Sequence, residues 1–367
     1  MSKQTKVKEP LIHIAKRDNM TWYQSWGIRI AAILLAMILC AIISVLVTKL
    51  NPLDVYGTIA KGAFGSKRKI WNTFQEMSVL LIISLALTPA FKMRFWNIGG
   101  EGQVMMGALA AAAVMLKLSP LVPNGVVIPL MFVAALGAGA LWALIPAALK
   151  AKWNTNETLS TLMLNYIATQ LVAFFIIIWV PNGSNVVGVI NQDSQVGWLP
   201  QIYNKYLLTI IVAAVITVGM FIYLNFTKHG YEINVVGESE RTARYVGIKV
   251  EKVIIRTMIL SGALCGLVGL LLVGGINHTI SASIVGGRGF TAVMTSWLAK
   301  FNPFAMILTS LLVAFMDNGA SQIATTCGLN ESFADILTGI IIFFIIGCEF
   351  FIRYKVMFRK GSRKEAA

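Results

Sequence analysis

The chain has 367 residues, 57% of them hydrophobic and 13% charged, with a mean hydropathy of +0.73 and a formal net charge of +15. Apolar residues at that level, in continuous runs reaching the ~20 residues that a bilayer crossing needs, exclude a soluble globular domain. Because the runs do not alternate, they also exclude a β-barrel. The basic residues sit in loops between the runs, the distribution that orients membrane helices, so they are read as topology and no nucleic-acid partner is expected.

The sequence therefore predicts an all-α polytopic membrane protein of about ten spans. Residues 1–27 form a basic, polar tail with Lys3, Lys6, Lys8, Lys16 and Arg17, and no signal peptide is evident. The membrane domain is expected over 28–352. Its spans fall at about 28–48, 74–90, 103–116, 126–149, 157–180, 206–226, 253–276, a short eighth at 288–299, 303–323 and 332–352. A basic tail, 353–367, closes the chain. Ten crossings put both ends on one side, and with the N-terminus cytoplasmic 23 of the 31 Lys and Arg lie on that side. Lys67-Arg68-Lys69 is the exception, and a re-entrant segment within 49–70 would account for it.

A faint internal repeat runs through the spans. Gly99-Gly100-Glu101-Gly102 opens the third and Gly286-Gly287-Arg288-Gly289 the eighth; Asn156-Glu157-Thr158 opens the fifth and Asn330-Glu331-Ser332 the tenth. Five spans separate each pair, an odd number, so the halves are expected to cross in opposite directions as an inverted repeat. The third and eighth spans should then run antiparallel.

Several polar positions inside the apolar runs need partners. In Asn97-Ile98-Gly99-Gly100-Glu101-Gly102-Gln103 the glycines allow close backbone approach, and a fresh helix start leaves N–H donors free. Such a broken helix either lines a translocation path or packs tightly with Glu101 as a dipole partner, and the residues leave both readings open. Asn165 and Tyr166 fall mid-span and are read first as helix–helix hydrogen bonding, second as path lining. Asp317 and Asn318 lie deep in the ninth span, where an acidic residue is functional by default and could pair with Arg288. The candidate path is thus Asn97, Glu101, Gln103, Asn165, Tyr166, Asp317 and Asn318. Gly262, Gly266 and Gly269 share one face and mark close packing.

The loop 227–256 carries ten charges between two spans. Within it, Ser239 can cap a short helix with Glu240 in its first turn, running to about Val246 and stopped by Gly247. A capped helix at the membrane surface suits docking by another protein. Cys40, Cys265, Cys327 and Cys348 are far apart and read as small packing residues, and His13, His229 and His278 form no metal motif, so no metal or cofactor is expected. No P-loop, H-E-x-x-H or G-x-S-x-G is present, which argues against an ATPase, protease or lipase.

The stretches FWNIGGEGQVMMGA, TLMLNYIA, VGESERTARYVGI and GGRGFTAV, in that order, resemble the signature segments of bacterial ABC importer permeases for simple sugars, nucleosides and branched-chain amino acids. The first two look most like the nucleoside importers. The resemblance covers nearly all of the chain after about residue 50. It implies a partner ATPase, a second homologous permease chain, an extracellular substrate-binding lipoprotein and a bacterial cell-membrane location. It also implies that Ser239, Glu240, Arg241, Arg244, Tyr245 and Gly247 belong to the helix that couples to the ATPase. Where the family commonly has Asn-Pro before that helix, this chain has Ser239-Glu240; Ser caps as well as Asn, so the departure bears on the ATPase contacts. Nucleosides are the implied cargo, with ribose, galactose or a branched-chain amino acid as the alternative. A rival of another class is an ion-coupled transporter using Asp317 and Glu101.

Overall fold

The computed structural model describes residues 12–17, 21–49, 51–180, 186–327 and 331–358. Asn330, one arm of the second repeat match, and the tail residues 1–11, 18–20 and 359–367 lie outside that set. By contacts the chain divides into two compact units, Met1–Ile59 with Gly319–Ala367, and Ala60–Asn318.

In the first unit a strand β1 (Ile12–Lys16) leads into α1 (Trp22–Thr48), and α13 (Glu331–Arg353) leads into β2 (Tyr354–Phe358). The strands pair antiparallel, Ile12 opposite Phe358 and Lys16 opposite Tyr354, where the sequence predicts only polar tails. Helix α1 also begins six residues before the expected span, since its first turns need only helix-compatible residues and not apolar ones. Cys40 on α1 reaches the carbonyl of Leu337 on α13 at 3.8 Å, and Cys40, Cys265 and Cys348 are buried.

The expected re-entrant region holds α2 (Pro52–Phe64), a 13-residue helix of about 20 Å, too short to cross. Val55, Ile59 and Ala63 are its buried stripe at four-residue spacing. Ser66 then caps α3 (Lys67–Lys92) by accepting from the Lys69 amide.

The second unit is built around α3, whose apolar stretch is almost wholly buried. Against it pack α7 (Leu207–Phe226) and α10 (Val250–Leu270); α10 in turn carries α4 (Gly100–Leu118) and α5 (Asn124–Trp153), with α6 (Glu157–Trp179) against both of these. Helix α10 runs on into a π-helical segment, Leu271–Asn277. Helices α4, α5 and α10 meet backbone to backbone: a Cβ on Gly107 would strike Gly266, and one on Gly139 would strike the Gly262 carbonyl. Removing side chains from the contact lets dispersion act between main chains, as membrane helices require where lipid offers no hydrophobic drive.

Among the described residues, eight helices are long and apolar enough to cross a bilayer, and α13 adds an apolar stretch, Ile336–Ile352. The expected eighth span is a half-helix. Helix α11 (Arg288–Leu298) has 11 residues, about 16 Å, roughly half of a ~30 Å hydrocarbon core. Apolar composition reports that a segment is in the membrane, not how deep it starts. Helix α12 (Pro303–Cys327) follows.

Directions follow from side-chain pairings. Glu76 meets Arg288, and further along Ser84 bonds to both Ala292 and Ser296, so α3 and α11 run parallel. The end of α3 (Ala90, Met93) shares a buried cluster with the start of α10 (Val250–Met258), so those two are antiparallel. Asn97 meets Ser261, and Gly269 packs against Val104 and Ala108, so α4 runs with α10. Helices α4 and α11 therefore run in opposite directions, as an inverted repeat demands.

Candidate functional site

Two broken helices meet head to head beside the middle of α3. Glu101, in the first turn of α4, is only 9% exposed and accepts the amide of Gly287 at 2.9 Å and that of Gly289 at 2.7 Å. Those amides belong to the opening turn of α11, where N–H groups have no partner within the helix and the dipole favours an anion. Gly287 has φ +77°, and a Cβ at Gly289 would strike the Glu101 backbone, so this approach requires glycine at both. One carboxylate on the first half-helix thus satisfies the opening amides of the second.

Around this joint, three predicted path residues hold the irregular turn. Asn97 accepts from the Gly99 amide at 3.0 Å and from Gln103 at 3.2 Å, and donates to Ser261 at 3.2 Å. Asn165 accepts the Gly102 amide at 2.8 Å and donates to the Ile98 carbonyl at 2.9 Å. Thr161 accepts the Ile98 amide at 3.2 Å. Asn97, Gln103 and Asn165 are buried; Asn97 and Asn165 satisfy backbone that lost its helical partners, while Gln103 steadies the Asn97 side chain. Tyr166, one residue from Asn165 and so about 100° round the helix, points outward between Met163 and Ile167 and does not join them.

A second group sits at the other edge of the joint. Arg288 pairs with Glu76 at 2.8 Å, with side chains 28% and 26% exposed, and it also feels the charges of Asp317 and Glu101. Asn318 accepts from Asn72 at 3.3 Å, and Asp317 is exposed. Charges half-open at this depth cannot face lipid without a large cost; they face water or another chain. Below them the outer side of α11 carries Phe290, Met294 and Trp297, spaced four and three residues apart and 37–44% exposed. Trp297 lies 5.2 Å from Trp96 and 6.3 Å from Phe91. Its opposite side, Gly289, Ala292, Thr295 and Ser296, is buried.

Glu76 and this aromatic stripe are absent from the sequence-derived list. Glu76 is the lone acidic residue of α3, and residues 290, 294 and 297 keep a helical spacing, so both signals were present in the letters.

The charged loop folds as two helices, α8 (Lys228–Glu238) and α9 (Glu240–Tyr245). The Ser239 hydroxyl accepts the Thr242 amide at 3.2 Å and caps α9. Glu240 occupies the first turn, Arg241 is exposed, and Gly247 turns the chain with φ +84°. Arg244 reaches Glu251 at 2.8 Å with both side chains largely exposed, and Tyr245 is 92% exposed. One residue roots the knob: Ala243 is fully buried among Ala90, Met93, Ala143, Ile233, Val250 and Met258. Gly237 of α8 packs directly on the Lys92 carbonyl at the end of α3.

Comparison with known proteins bears on this arrangement. A family profile described as branched-chain amino acid transport system / permease component matches residues 70–346. A glucose ABC transporter permease protein of Haloferax volcanii is 27% identical over 94% of this chain and 93% of its own. A guanosine ABC transporter permease protein of Bacillus subtilis is 29% identical over 91% and 95%. A nucleoside ABC transporter permease protein of Lactococcus lactis is 30% identical over 86% and 88%. The match runs through the joint, the knob and every helix from α4 to α12, and the chain belongs to the ABC transporter permease family of the branched-chain amino acid transport system type, a membrane transport subunit and not an enzyme.

Proposed function

We propose that the chain is the permease subunit of an importer for nucleosides, driven by a separate ATPase that grips α9. The observation that carries this reading is the construction of the knob. Tyr245, Arg244 and Arg241 offer an exposed surface, while Ala243 and Gly237 tie it to the ends of α3, α5, α8 and α10. A displacement of α9 is therefore passed to α3, and α11 rides on α3 through Ser84 and Ser296. The stripe Phe290–Met294–Trp297 with Trp96 moves with it, and we assign the substrate path to that face, under the Glu76–Arg288 pair. Of the path residues read from sequence, Asp317 and Asn318 adjoin this face; Asn97, Glu101, Gln103 and Asn165 support it from behind.

Aromatic faces suit a nucleobase, which stacks, and the guanosine and nucleoside relatives favour the same cargo. The glucose relative keeps a sugar as the second reading, since pyranose faces also pack on tryptophan. Competition by unlabelled nucleoside against unlabelled sugar in an uptake assay separates the two. The Lactococcus and Bacillus relatives each have a second matching permease in the same organism, 26% identical to this chain over 59% and 60% of its length, which supports a heterologous second permease here. An extracellular binding lipoprotein would deliver the substrate and make transport vectorial. The knob side is assigned to the cytoplasm from the 23 of 31 basic residues. The ion-coupled reading has no comparable support, and the carboxylate it would use at Glu101 is already occupied by two amides.

The test is Arg244→Glu in the assembled transporter. Uptake should fall about tenfold or more while the amount of protein in the membrane is unchanged, because an exposed ion pair contributes only about 0–1 kcal/mol to folding. Uptake at the wild-type rate overturns the assignment of α9.

A further inference from the structure

A cleft of about 530 Å³ opens between α8, the start of α10 and the turn after α9. Four cations line it, Lys228, Lys249, Lys252 and Arg256, against a single carboxylate, Glu232. Glu232 is already bound to Arg256 at 2.8 Å, and the Arg256 Nε is buried without a hydrogen-bond partner. None of the three lysines has an ion-pair partner among the described residues. An excess of positive charge held in one concave site, with a donor left over, is the electrostatic complement of a phosphate group.

The depth of the cleft says where that phosphate comes from. Lys228 follows within two residues of Phe226, the last residue of the apolar helix α7, and Lys249 to Arg256 form the entry and first turns of the apolar helix α10. The cations thus stand where two helices leave the hydrocarbon layer, at headgroup level. Tyr231, 64% exposed at the same rim, is a residue that favours this boundary. The volume lies inside the roughly 300–1,000 Å³ range of small-ligand sites.

We infer that this cleft binds the headgroup of an anionic phospholipid. The inference needs only that α7 and α10 cross a bilayer, so it stands or falls separately from the role of α9. The Gly247 turn forms part of the wall, so an occupied cleft braces the exit of α9 against α10.

Native mass spectrometry of the purified full-length chain, mixed with equal amounts of phosphatidylglycerol and phosphatidylcholine, tests it. The chain should retain phosphatidylglycerol selectively, and the triple variant K228Q/K249Q/K252Q should lose that retention by about a hundredfold, at about fivefold per cation near an anionic surface. Replacing the same three by arginine should keep it, which separates lost charge from lost fold. Equal retention of both lipids, or unchanged retention in the glutamine variant, overturns the proposal. Displacement of the lipid by millimolar inorganic phosphate overturns it in favour of a soluble anion. Ejection of the lipid when the ATPase partner is added overturns it in favour of an acidic protein surface.

Discussion

The joint between α4 and α11 and the knob at α9 are both helix starts, yet they are built on opposite plans. At the joint, every opening amide that Glu101 reaches is satisfied from 186 or 188 residues away, with backbones in contact and side chains buried. At the knob, the cap comes from Ser239, three residues from the amide it satisfies, and a single alanine is buried. Non-local satisfaction makes the joint stiff and its loss global. Local satisfaction lets the knob keep its own shape when gripped, so that a pull on it is passed inward through Ala243. A transporter driven from outside needs both, a rigid body and a handle that does not unfold when pulled.

The contrast can be broken from either end. The largest effect is expected at the glycine crossing of α4, α5 and α10, on which the α4 side of the joint rests. A Cβ at Gly266 would strike the Ala135 carbonyl, so Gly266→Leu should cost about 3 kcal/mol or more and abolish a monodisperse peak in size-exclusion chromatography. Next, Glu101→Ala leaves the buried Gly289 amide and the part-buried Gly287 amide unpaired and should cost about 2 kcal/mol, read as a lower melting temperature in detergent. Glu101→Gln keeps the shape and one acceptor and should lose about half as much. By contrast, Ser239→Ala should cost about 1 kcal/mol, confined to α9. It should appear as faster hydrogen exchange at the Thr242 amide with the melting temperature unchanged; a global loss of stability would show that the knob is part of the core after all.

The smallest effect concerns the far end of α10. His278 stacks on Trp198 at 3.8 Å, beneath the 186–199 loop that bonds to the π-helical segment through Leu199 and Gly274. Burial first, then the Lys205 charge, holds the His278 pKa below its ordinary value, partly opposed by a hydrogen bond with Gly274. A histidine kept neutral by folding stabilises above its unfolded pKa of about 6.5, and that contribution fades as pH falls from there toward the lowered folded value. Tryptophan fluorescence should change over that acid range in the wild type and stay flat in His278→Gln.

The two regions also differed in how far their letters revealed them. The α9 cap, first-turn acid and glycine stop were readable because each acts over three or four residues. The oddness of residues 97–103 was readable too, but not that Asn97 and Asn165 serve the turn itself, since their partners are brought in by folding. The short length of α11 was readable, but not the depth at which it starts, because hydropathy carries no depth. The β1–β2 pair was invisible in the tails because five residues of strand need a partner over 330 positions away to exist at all.

That strand pair has a topological consequence. With Lys16 opposite Tyr354 and Ile12 opposite Phe358, the polypeptide closes on itself like a clasped necklace, and a reporter split between its two extremities should reassemble without any linker spanning the lipid.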